Sequence, residues 1–256
     1  MKKFLTLVSA IALVFTSCSK DDDSGTNEAE NTLLKKTIYT EGTDTDLYDA
    51  TYDGNKIVSF IGSTDNSKTL YTYTGDLITK IEDFDNTTLE FTTNYFYNNG
   101  KLVSMEEIES GATQKNRTDY TYNSDGTVSF TNYSIVIATN VTNTIHNGKL
   151  FFANNNIIKK EVIRTNSTST TTYLFDDKKN PAINIIGFDK LLDEDKSQKN
   201  NITKETEVAE YTSGGTTTTD TYITTNVFSY NSSGFPIQKK EYDENLVLDH
   251  TIDYFY

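Results

Sequence analysis

The stretch YFYNNGKLV, residues 95–103, contains the features that decide the fold. Asn99-Gly100 can adopt the positive φ angles that a tight two-residue turn requires, and such a turn has a twist that matches the flanking strands. The residues on both sides are mostly aromatic or aliphatic, and these types suit a pleated, half-buried surface. The stretch is therefore predicted to be a β-hairpin.

The turn also predicts which side chains share a face of this hairpin. Side chains alternate between the two faces of a strand, and directly opposite residues form cross-strand pairs. Tyr97 is then expected opposite Leu102 on one face, and Phe96 opposite Val103 on the other.

The same order of tyrosine, turn and aliphatic residue recurs along the chain, and a fixed period of this kind indicates a repeat architecture. Clear copies lie at residues 50–60, 71–78, 120–128 and 228–237, and weaker copies lie at 146–150 and 173–181. We therefore expect an all-β fold over residues 37–256. It is predicted as an antiparallel meander of repeated β-hairpins, roughly 14 to 18 strands, forming one large curled sheet.

The repeat pattern is interrupted once, by the apolar segment that follows Asn180. Residues 181–192 have apolar side chains at spacings that suit a short helical or irregular insertion better than a strand. This insertion is expected to cover one end of the sheet, because sheets hide exposed edges and faces. Residues 193–201 are predicted to be a loop, with strand patterning resuming at Ile202.

The N-terminus has the pattern of a secretory signal. Lys2-Lys3 is followed by a short apolar run at residues 4–15 and by Cys18, the single cysteine of the chain. The run is too short to span a bilayer. Cys18 resembles the acylated cysteine of bacterial lipoproteins, which predicts a membrane partner through an N-terminal palmitate-type lipid anchor. The alternative is a secreted protein cut near Ser17 with a free thiol. The predicted parts are a signal peptide at 1–17, an acidic and polar tether at 18–36, and the hairpin domain at 37–256.

The residues after the cysteine form a compact acidic run, which resembles the surface-export signal of Bacteroidetes lipoproteins. The resemblance implies an outer-membrane protein that faces the cell exterior. The alternative is that the run is only part of a solvated tether. The residues in question are Ser19, Lys20, Asp21, Asp22 and Asp23.

The repeat unit Tyr-(Asp/Asn)-x-x-Gly-x-(Leu/Val/Ile) resembles the YD repeat of Rhs-type proteins. The whole chain resembles uncharacterised Bacteroidetes cell-surface lipoproteins with YD-like repeats. In that group an Asn-Pro, an apolar stretch and an Asn-Asn precede the last hairpins, matching Asn180-Pro181 and Asn200-Asn201 here. The resemblance implies no particular activity, because the group has no established one.

Charge and motif content exclude several kinds of function. The formal net charge of −14 argues against nucleic acid as a partner and against binding to anionic lipid headgroups. No catalytic, cofactor-binding or metal-binding motif is recognised. His146 and His250 are interpreted as surface or turn residues. Two acidic clusters, Asp193-Glu194-Asp195 and Asp44 with Asp46, are interpreted either as calcium ligands or as solvated loops.

The tyrosines allow two interpretations, as an aromatic face that binds a partner or as the half-buried core of the sheet. The aromatic C-terminal strand, residues 253–256, is also typical of outer-membrane barrels. A barrel wall in a membrane needs an apolar outer band, and Thr, Asn and Lys interrupt most of the strands here. The sequence therefore argues against a membrane-spanning barrel.

The function expected from these features is a non-enzymatic binding or scaffold role through the sheet face. The partner would be a glycan or a cell-surface protein. The alternative is a lipid-anchored, carbohydrate-active enzyme that uses unidentified carboxylates, and a third option is a spacer without a small ligand. An enzyme should bring acidic side chains together in one deep pocket, whereas a binding sheet should present a broad, shallow aromatic face.

Overall fold

The structure is a computed structural model that describes residues 32–64 and 66–256. The predictions for Cys18 and for residues 19–23 lie outside these residues. The described chain forms sixteen strands with one turn of 3₁₀ helix, Phe188–Lys190, between β12 and β13. The strands are β1 (Lys36–Glu41), β2 (Asp44–Asp53), β3 (Lys56–Gly62), β4 (Ser67–Thr74), β5 (Leu77–Asp85), β6 (Thr88–Asn98), β7 (Lys101–Glu109), β8 (Gln114–Tyr122), β9 (Val128–Val136), β10 (Thr142–Ala153), β11 (Asn156–Ile163), β12 (Ser167–Phe175), β13 (Ile202–Ser213), β14 (Thr216–Tyr230), β15 (Pro236–Tyr242) and β16 (Leu248–Phe255).

The strands close into a barrel. Each strand pairs antiparallel with the next in the chain, and β1 pairs antiparallel with β16, from Lys36 opposite Phe255 to Thr40 opposite Thr251. The structure thus confirms the predicted antiparallel all-β meander, whereas the prediction of one large, open curled sheet is wrong. The physical reason is that closure pairs the backbone N–H and C=O groups of the two edge strands, which an open sheet leaves exposed.

The hairpin that was expected at residues 95–103 forms, with one difference in register. Tyr97 lies opposite Leu102 as predicted, but Phe96 lies opposite Ser104 because Val103 is the extra residue of a β-bulge. Bulges bend a strand and increase its twist. Other hairpins have an extra residue at the equivalent position, after the turn: Val58, Thr79, Ile158 and Ile237.

The chain between β12 and β13, residues 176–201, folds across one end of the barrel, and we call it the plug. The backbone N–H of Ile186 donates to the carbonyl oxygen of Asn55 at 3.0 Å, and the hydroxyl of Tyr73 donates to the carbonyl oxygen of Ile186 at 3.0 Å. Residues 181–192 are irregular with a 3₁₀ turn, and they cover a barrel end as predicted. We call this end the plugged end and the opposite one the open end.

The core lies inside the barrel, between its wall and the plug. Phe188, Ile185 and Leu191 of the plug are 1–4% exposed and pack in one cluster with wall residues Ile57 and Ile78. The aliphatic residue after each turn at the plugged end is therefore a lumen position. Wall residues of this kind that are at most 3% exposed are Ile57, Ile78, Leu102, Val128 and Ile157.

The outer face of the wall carries charged side chains. Along β5, Ile81 faces the lumen, so its neighbours Lys80 and Glu82 point outward, where they form an ion pair at 2.8 Å. Similar pairs lie on neighbouring strands: Lys115–Glu106 at 2.8 Å, Arg117–Asp119 at 2.7 Å and Lys159–Glu161 at 2.8 Å. Large apolar side chains are exposed between these ion pairs, among them Phe96 at 47%, Ile163 at 56% and Leu174 at 61%, so the outer face is mixed. None of the helical segments in the described chain is long and apolar enough to cross a membrane.

Candidate functional site

The tyrosine rows face the lumen. Tyr73 and Tyr97 at the plugged end donate their hydroxyls to the carbonyl oxygens of Ile186 and Ile78, at 3.0 and 2.8 Å. Burial raises the pKa of the Tyr73 hydroxyl to about 12. Tyr71, deeper in the barrel, contacts the ring of Phe188 with ring centroids 5.8 Å apart. These tyrosines are core residues, so they do not form the broad, shallow aromatic face that was considered as a binding surface.

The lumen contains two cavities beside the tip of the plug, residues 193–196. The first has a volume of about 270 Å³ and the second about 310 Å³, and Lys196 lines both. Their volumes are near or just below the lower limit for small-molecule sites in proteins. The tip of the plug belongs to the segment that the sequence predicts to be a loop, and it lies inside the lumen.

Acidic side chains converge on the first cavity from three elements. Asp195 comes from the plug, Glu205 from β13 and Glu241 from β15. Desolvation by the surrounding barrel, with the negative charge of Asp193, raises the pKa of Asp195 to about 6, although this side chain is accessible to solvent within the lumen. Burial, with the negative charge of Asp195, raises the pKa of Glu205 to about 7. Lys239 forms an ion pair with Glu241 at 2.8 Å, so this lysine is already engaged.

Three side chains in the wall of the first cavity have a buried polar atom that lacks a hydrogen-bond partner within the described chain. These atoms are Asn201 Oδ1, Asn226 Oδ1 and His250 Nε2. Asn201 and His250 are each 2% exposed. Buried polar atoms are normally paired, so unpaired atoms collected around one cavity indicate a place for a ligand or for water.

His250 is buried, and its interpretation as a surface or turn residue is wrong. Asp249 is the extra residue of a bulge between β15 and β16, so His250 lies opposite Glu241 and points inward. The ring packs against Tyr39 with centroids 4.8 Å apart. Nδ1 is 2.9 Å from Asp249 Oδ2, while Nε2 is 3.7 Å from Glu241 Oε2. These three residues place candidate metal-ligand atoms within 4.8 Å of one another.

The second cavity lies on the other side of the plug tip. Lys160 of β11 forms an ion pair with Glu194 of the tip at 2.6 Å. His146 also lines this cavity, and burial together with the charge of Arg164 lowers the pKa of its ring. The interpretation of His146 as a surface or turn residue is therefore wrong as well.

The acidic clusters do not form calcium sites of the expected kind. Asp193 Oδ1 accepts the backbone N–H groups of Asp195 and Lys196, at 2.9 and 2.6 Å, so this carboxylate shapes the plug tip. Glu194 is paired with Lys160, and Asp195 lines the first cavity. The cluster lies in the lumen, where Asp195 is exposed to solvent and Asp193 and Glu194 are half-buried. Asp44 and Asp46 lie on β2, towards the open end.

Sequence comparison finds no protein-family model and no curated protein that matches the chain. Solved structures do resemble it. A porin-like protein from Bacteroides vulgatus ATCC 8482 has a TM-score of 0.59 at 16% identity, over 88% of this chain and 98% of that one. A porin-like protein from Bacteroides uniformis ATCC 8492 has a TM-score of 0.52 at 11% identity, over 88% of this chain and 98% of that one. At these identities the likeness concerns the fold.

The resemblance to Bacteroidetes lipoproteins with YD-like, Rhs-type repeats is therefore wrong. The chain is a closed sixteen-stranded barrel similar to porin-like proteins. The repeat unit reflects a barrel hairpin with a lumen tyrosine, a tight turn and a lumen aliphatic residue. The Asn motifs hold the plug instead: Asn180 Oδ1 accepts the N–H of Ala182 at 2.8 Å, and Asn201 Nδ2 donates to the carbonyl oxygen of Lys179 at 3.1 Å.

Proposed function

We propose that this chain is a non-enzymatic binding protein of the outer membrane that holds a small polar ligand inside the lumen of its barrel. The observation that carries the proposal is the first cavity, which is lined by carboxylates and by buried polar atoms without partners. The sequence predicts a binding surface on the face of the sheet, whereas the ligand site proposed here lies inside the barrel. A glycan fragment of monosaccharide size remains one candidate ligand.

The packing of the plug argues against a role as an open pore. Pores of this class have a polar lumen filled with water. Here Phe188, Ile185 and Leu191 fill the plugged end together with aliphatic side chains of the wall. The barrel is therefore closed at the plugged end, and the ligand enters from the open end.

The outer-membrane location is supported by the porin-like neighbours and, independently, by the signal pattern that ends at Cys18. Outward ion pairs interrupt the apolar side chains of the wall, which favours water as its surroundings, and a barrel that stands in water would need a separate attachment to the membrane. Acylation of the Cys18 thiol would supply it. The acidic run Ser19–Asp23 would then favour export to the cell exterior.

The lumen site is tested by thermal-shift measurements on the purified protein with a panel of monosaccharides, amino acids, amines and organic acids. A ligand that binds should raise the melting temperature, because binding to the folded state alone stabilises it. Thr224→Trp would fill the first cavity and should abolish the shift. Thr225→Trp, on the outer face of the same strand, is the matched control. Thr118→Trp would fill the second cavity in the same way. A ligand that still raised the melting temperature of both Trp variants would contradict a lumen site.

A second candidate function, a carbohydrate-active enzyme, is favoured by one observation. Asp195, Glu205 and Glu241 converge in a deep cavity, as expected of an enzyme, and glycoside hydrolysis uses a pair of carboxyl groups. Release of nitrophenol from nitrophenyl glycosides would support this function if Glu205→Gln abolished it. Binding without turnover would support the non-enzymatic role.

A further inference from the structure

We propose that the first cavity binds a small organic molecule through a primary ammonium group. This inference rests on the proposed function, because it names the chemical class of the lumen ligand. It is carried by the polar atoms of the wall, in which three hydrogen-bond acceptors lack donors and two of the three carboxylates lack an ion-pair partner within the described chain.

The unpaired atoms around the cavity are acceptors. Asn201 and Asn226 each use their amide nitrogen as a donor, to Asp176 and to the carbonyl oxygen of Ile202, which leaves the two amide oxygens unpaired. A ligand at this position must therefore bring N–H or O–H groups.

The histidine contributes a third acceptor. Nδ1 of His250 lies 2.9 Å from Asp249 Oδ2, and this contact assigns the proton of the neutral ring to Nδ1 and leaves Nε2 as an acceptor. Nε2 then faces Glu241 Oε2 at 3.7 Å, with an acceptor opposite an acceptor. A positively charged donor that binds Glu241 from the cavity would offset this repulsion.

The charged groups around the cavity also include carboxylates without an ion-pair partner. Within the described residues, neither Asp195 nor Glu205 has an ion-pair partner within 4.0 Å, whereas Lys239 is paired with Glu241. The negative charges that act on Glu205 come from Asp195, Glu194, Glu207 and Glu241. Asp195 is exposed to the negative charges of Asp193 and Glu194 and to the positive charges of Lys239 and Lys196.

A primary ammonium group fits this environment better than the other small donors. It offers three donors and no acceptor, and its charge compensates the unpaired carboxylates. The aromatic rings of Phe228 and Tyr254, also in the cavity wall, can contact the organic part of the ligand or the cation itself. A metal ion needs its ligand atoms within about 2.0–2.6 Å of a single point, and only Glu241 among the three cavity carboxylates belongs to the group with Asp249 and His250 whose atoms lie close together.

The test is calorimetric titration of the full chain with a matched pair of probes at pH 8. The probes are trans-4-aminocyclohexanol and cyclohexane-1,4-diol, which differ only in the replacement of an amine by a hydroxyl. The amine should bind about tenfold or more tightly than the diol, the ratio expected for a charge-assisted hydrogen bond. Affinity for the amine should fall as the pH drops below about 7, where Glu205 and then Asp195 become protonated. The amine itself stays charged throughout this range.

Variants identify the groups that bind. Glu205→Gln keeps the shape of the side chain and removes its charge, and it should weaken amine binding about tenfold or more. Asp195→Asn should act in the same direction, while Glu210→Gln on the outer face of β13 should leave the affinity unchanged. Far-UV circular dichroism and melting temperature confirm that each variant is folded.

Three results would overturn the inference. Equal affinity for the amine and the diol would remove the role of the charge, although the lumen site would still stand. Amine binding that is insensitive to both Glu205→Gln and Asp195→Asn would place the cation elsewhere. Displacement of the bound amine by equimolar Zn²⁺ or Ca²⁺ would identify the cavity as a metal site. Failure of the wider ligand panel, in contrast, would contradict the proposed function itself.

Discussion

The two halves of the lumen are built on opposite rules. At the plugged end, Ile57, Ile78 and Phe188 are at most 1% exposed, and the tyrosine hydroxyls donate to carbonyl oxygens of the plug and the wall. Towards the open end, Glu205 and Asp195 at the tip of the plug lie close enough to repel each other, and the buried amide oxygen of Asn226 lacks a donor. The first half is packed mainly by apolar side chains, although Asn201 Oδ1 of the plug lacks a partner, and the second half holds most of the charged side chains of the first cavity.

The comparison indicates that one half of the barrel mainly stabilises the fold and that the other half is available for binding. Apolar burial contributes roughly 25 cal/mol per Å² to folding, so the plugged half supplies much of the stability. Buried polar groups without partners cost stability, so each of them calls for a bound water, an ion or a functional role. The open half is therefore the place to look for binding, and the plugged half the place where substitutions should unfold the chain.

The largest effect is expected from Phe188→Ala in the plug. Phe188 is 1% exposed and packs against Tyr71, and loss of a buried aromatic ring costs about 3–5 kcal/mol. Urea denaturation followed by circular dichroism measures the change. Leu174→Ala is the control, because Leu174 is 61% exposed on the outer face and should cost about 0.5 kcal/mol or less. Equal losses in the two variants would contradict the assigned positions of plug and wall.

A smaller loss is expected from Gly148→Ala in β10. A Cβ atom at this position would lie 2.1 Å from Phe130 Cζ and 2.3 Å from the carbonyl oxygen of Glu161. Overpacking of this kind costs about 1–3 kcal/mol. The double variant with Phe130→Leu relieves only the contact with the ring, so the two substitutions should be non-additive in denaturation experiments. Additive losses would show that Phe130 does not cover Gly148.

The opposite sign is expected for Glu205→Gln in the open half. The folded protein holds the Glu205 pKa near 7, above its ordinary value of 4.5, so the folded state binds more protons than the unfolded state between these values. The unfolding free energy of the wild type should therefore fall as the pH rises through this window. Glu205→Gln removes this loss and should stabilise the protein by about 1 kcal/mol at pH 8, after a discount for solvent screening.

The pH dependence is the control for this prediction. Below pH 4.5 the carboxyl is protonated in both states, and the variant and wild type should have the same stability. A variant that is less stable than the wild type at pH 8 would show that the Glu205 charge is satisfied by the protein itself. Stabilisation combined with loss of amine binding would show that the open half trades stability for function.

The smallest effect is expected on the outer wall. Asp119→Asn breaks the exposed ion pair with Arg117, which is 2.7 Å long, and exposed pairs of this kind contribute less than about 1 kcal/mol. The unfolding free energy should change by less than about 0.5 kcal/mol at 0.15 M salt. A large loss would indicate that this face of the wall is covered.

Local features of the fold could be predicted from the sequence, because turn chemistry and alternation act over a few residues. Tyr97 opposite Leu102, the irregular segment at 181–192 and the resumption of strand at Ile202 all follow from such patterns. Closure could not be predicted in this way, since it depends on the summed twist of sixteen strands.

The first cavity could not be predicted from the sequence for a related reason. The bulge at Asp249 turns His250 inward, and a one-residue shift of this kind is invisible to a period-two pattern. The first cavity joins the plug tip to β13, β14, β15 and β16, so its residues come from segments that are far apart in the chain. The one available signal was the acidic run Asp193-Glu194-Asp195, which occurs next to the irregular insertion.

Phase partitioning in Triton X-114 tests most directly whether this barrel stands in water, although its outer face carries apolar as well as charged side chains. A chain that starts at Ser19 and contains neither signal peptide nor Cys18 should fold without detergent, remain in the aqueous phase and sediment as a single species. Partition of the folded barrel into the detergent phase, or a need for detergent to prevent its aggregation, would contradict an outer wall that faces water.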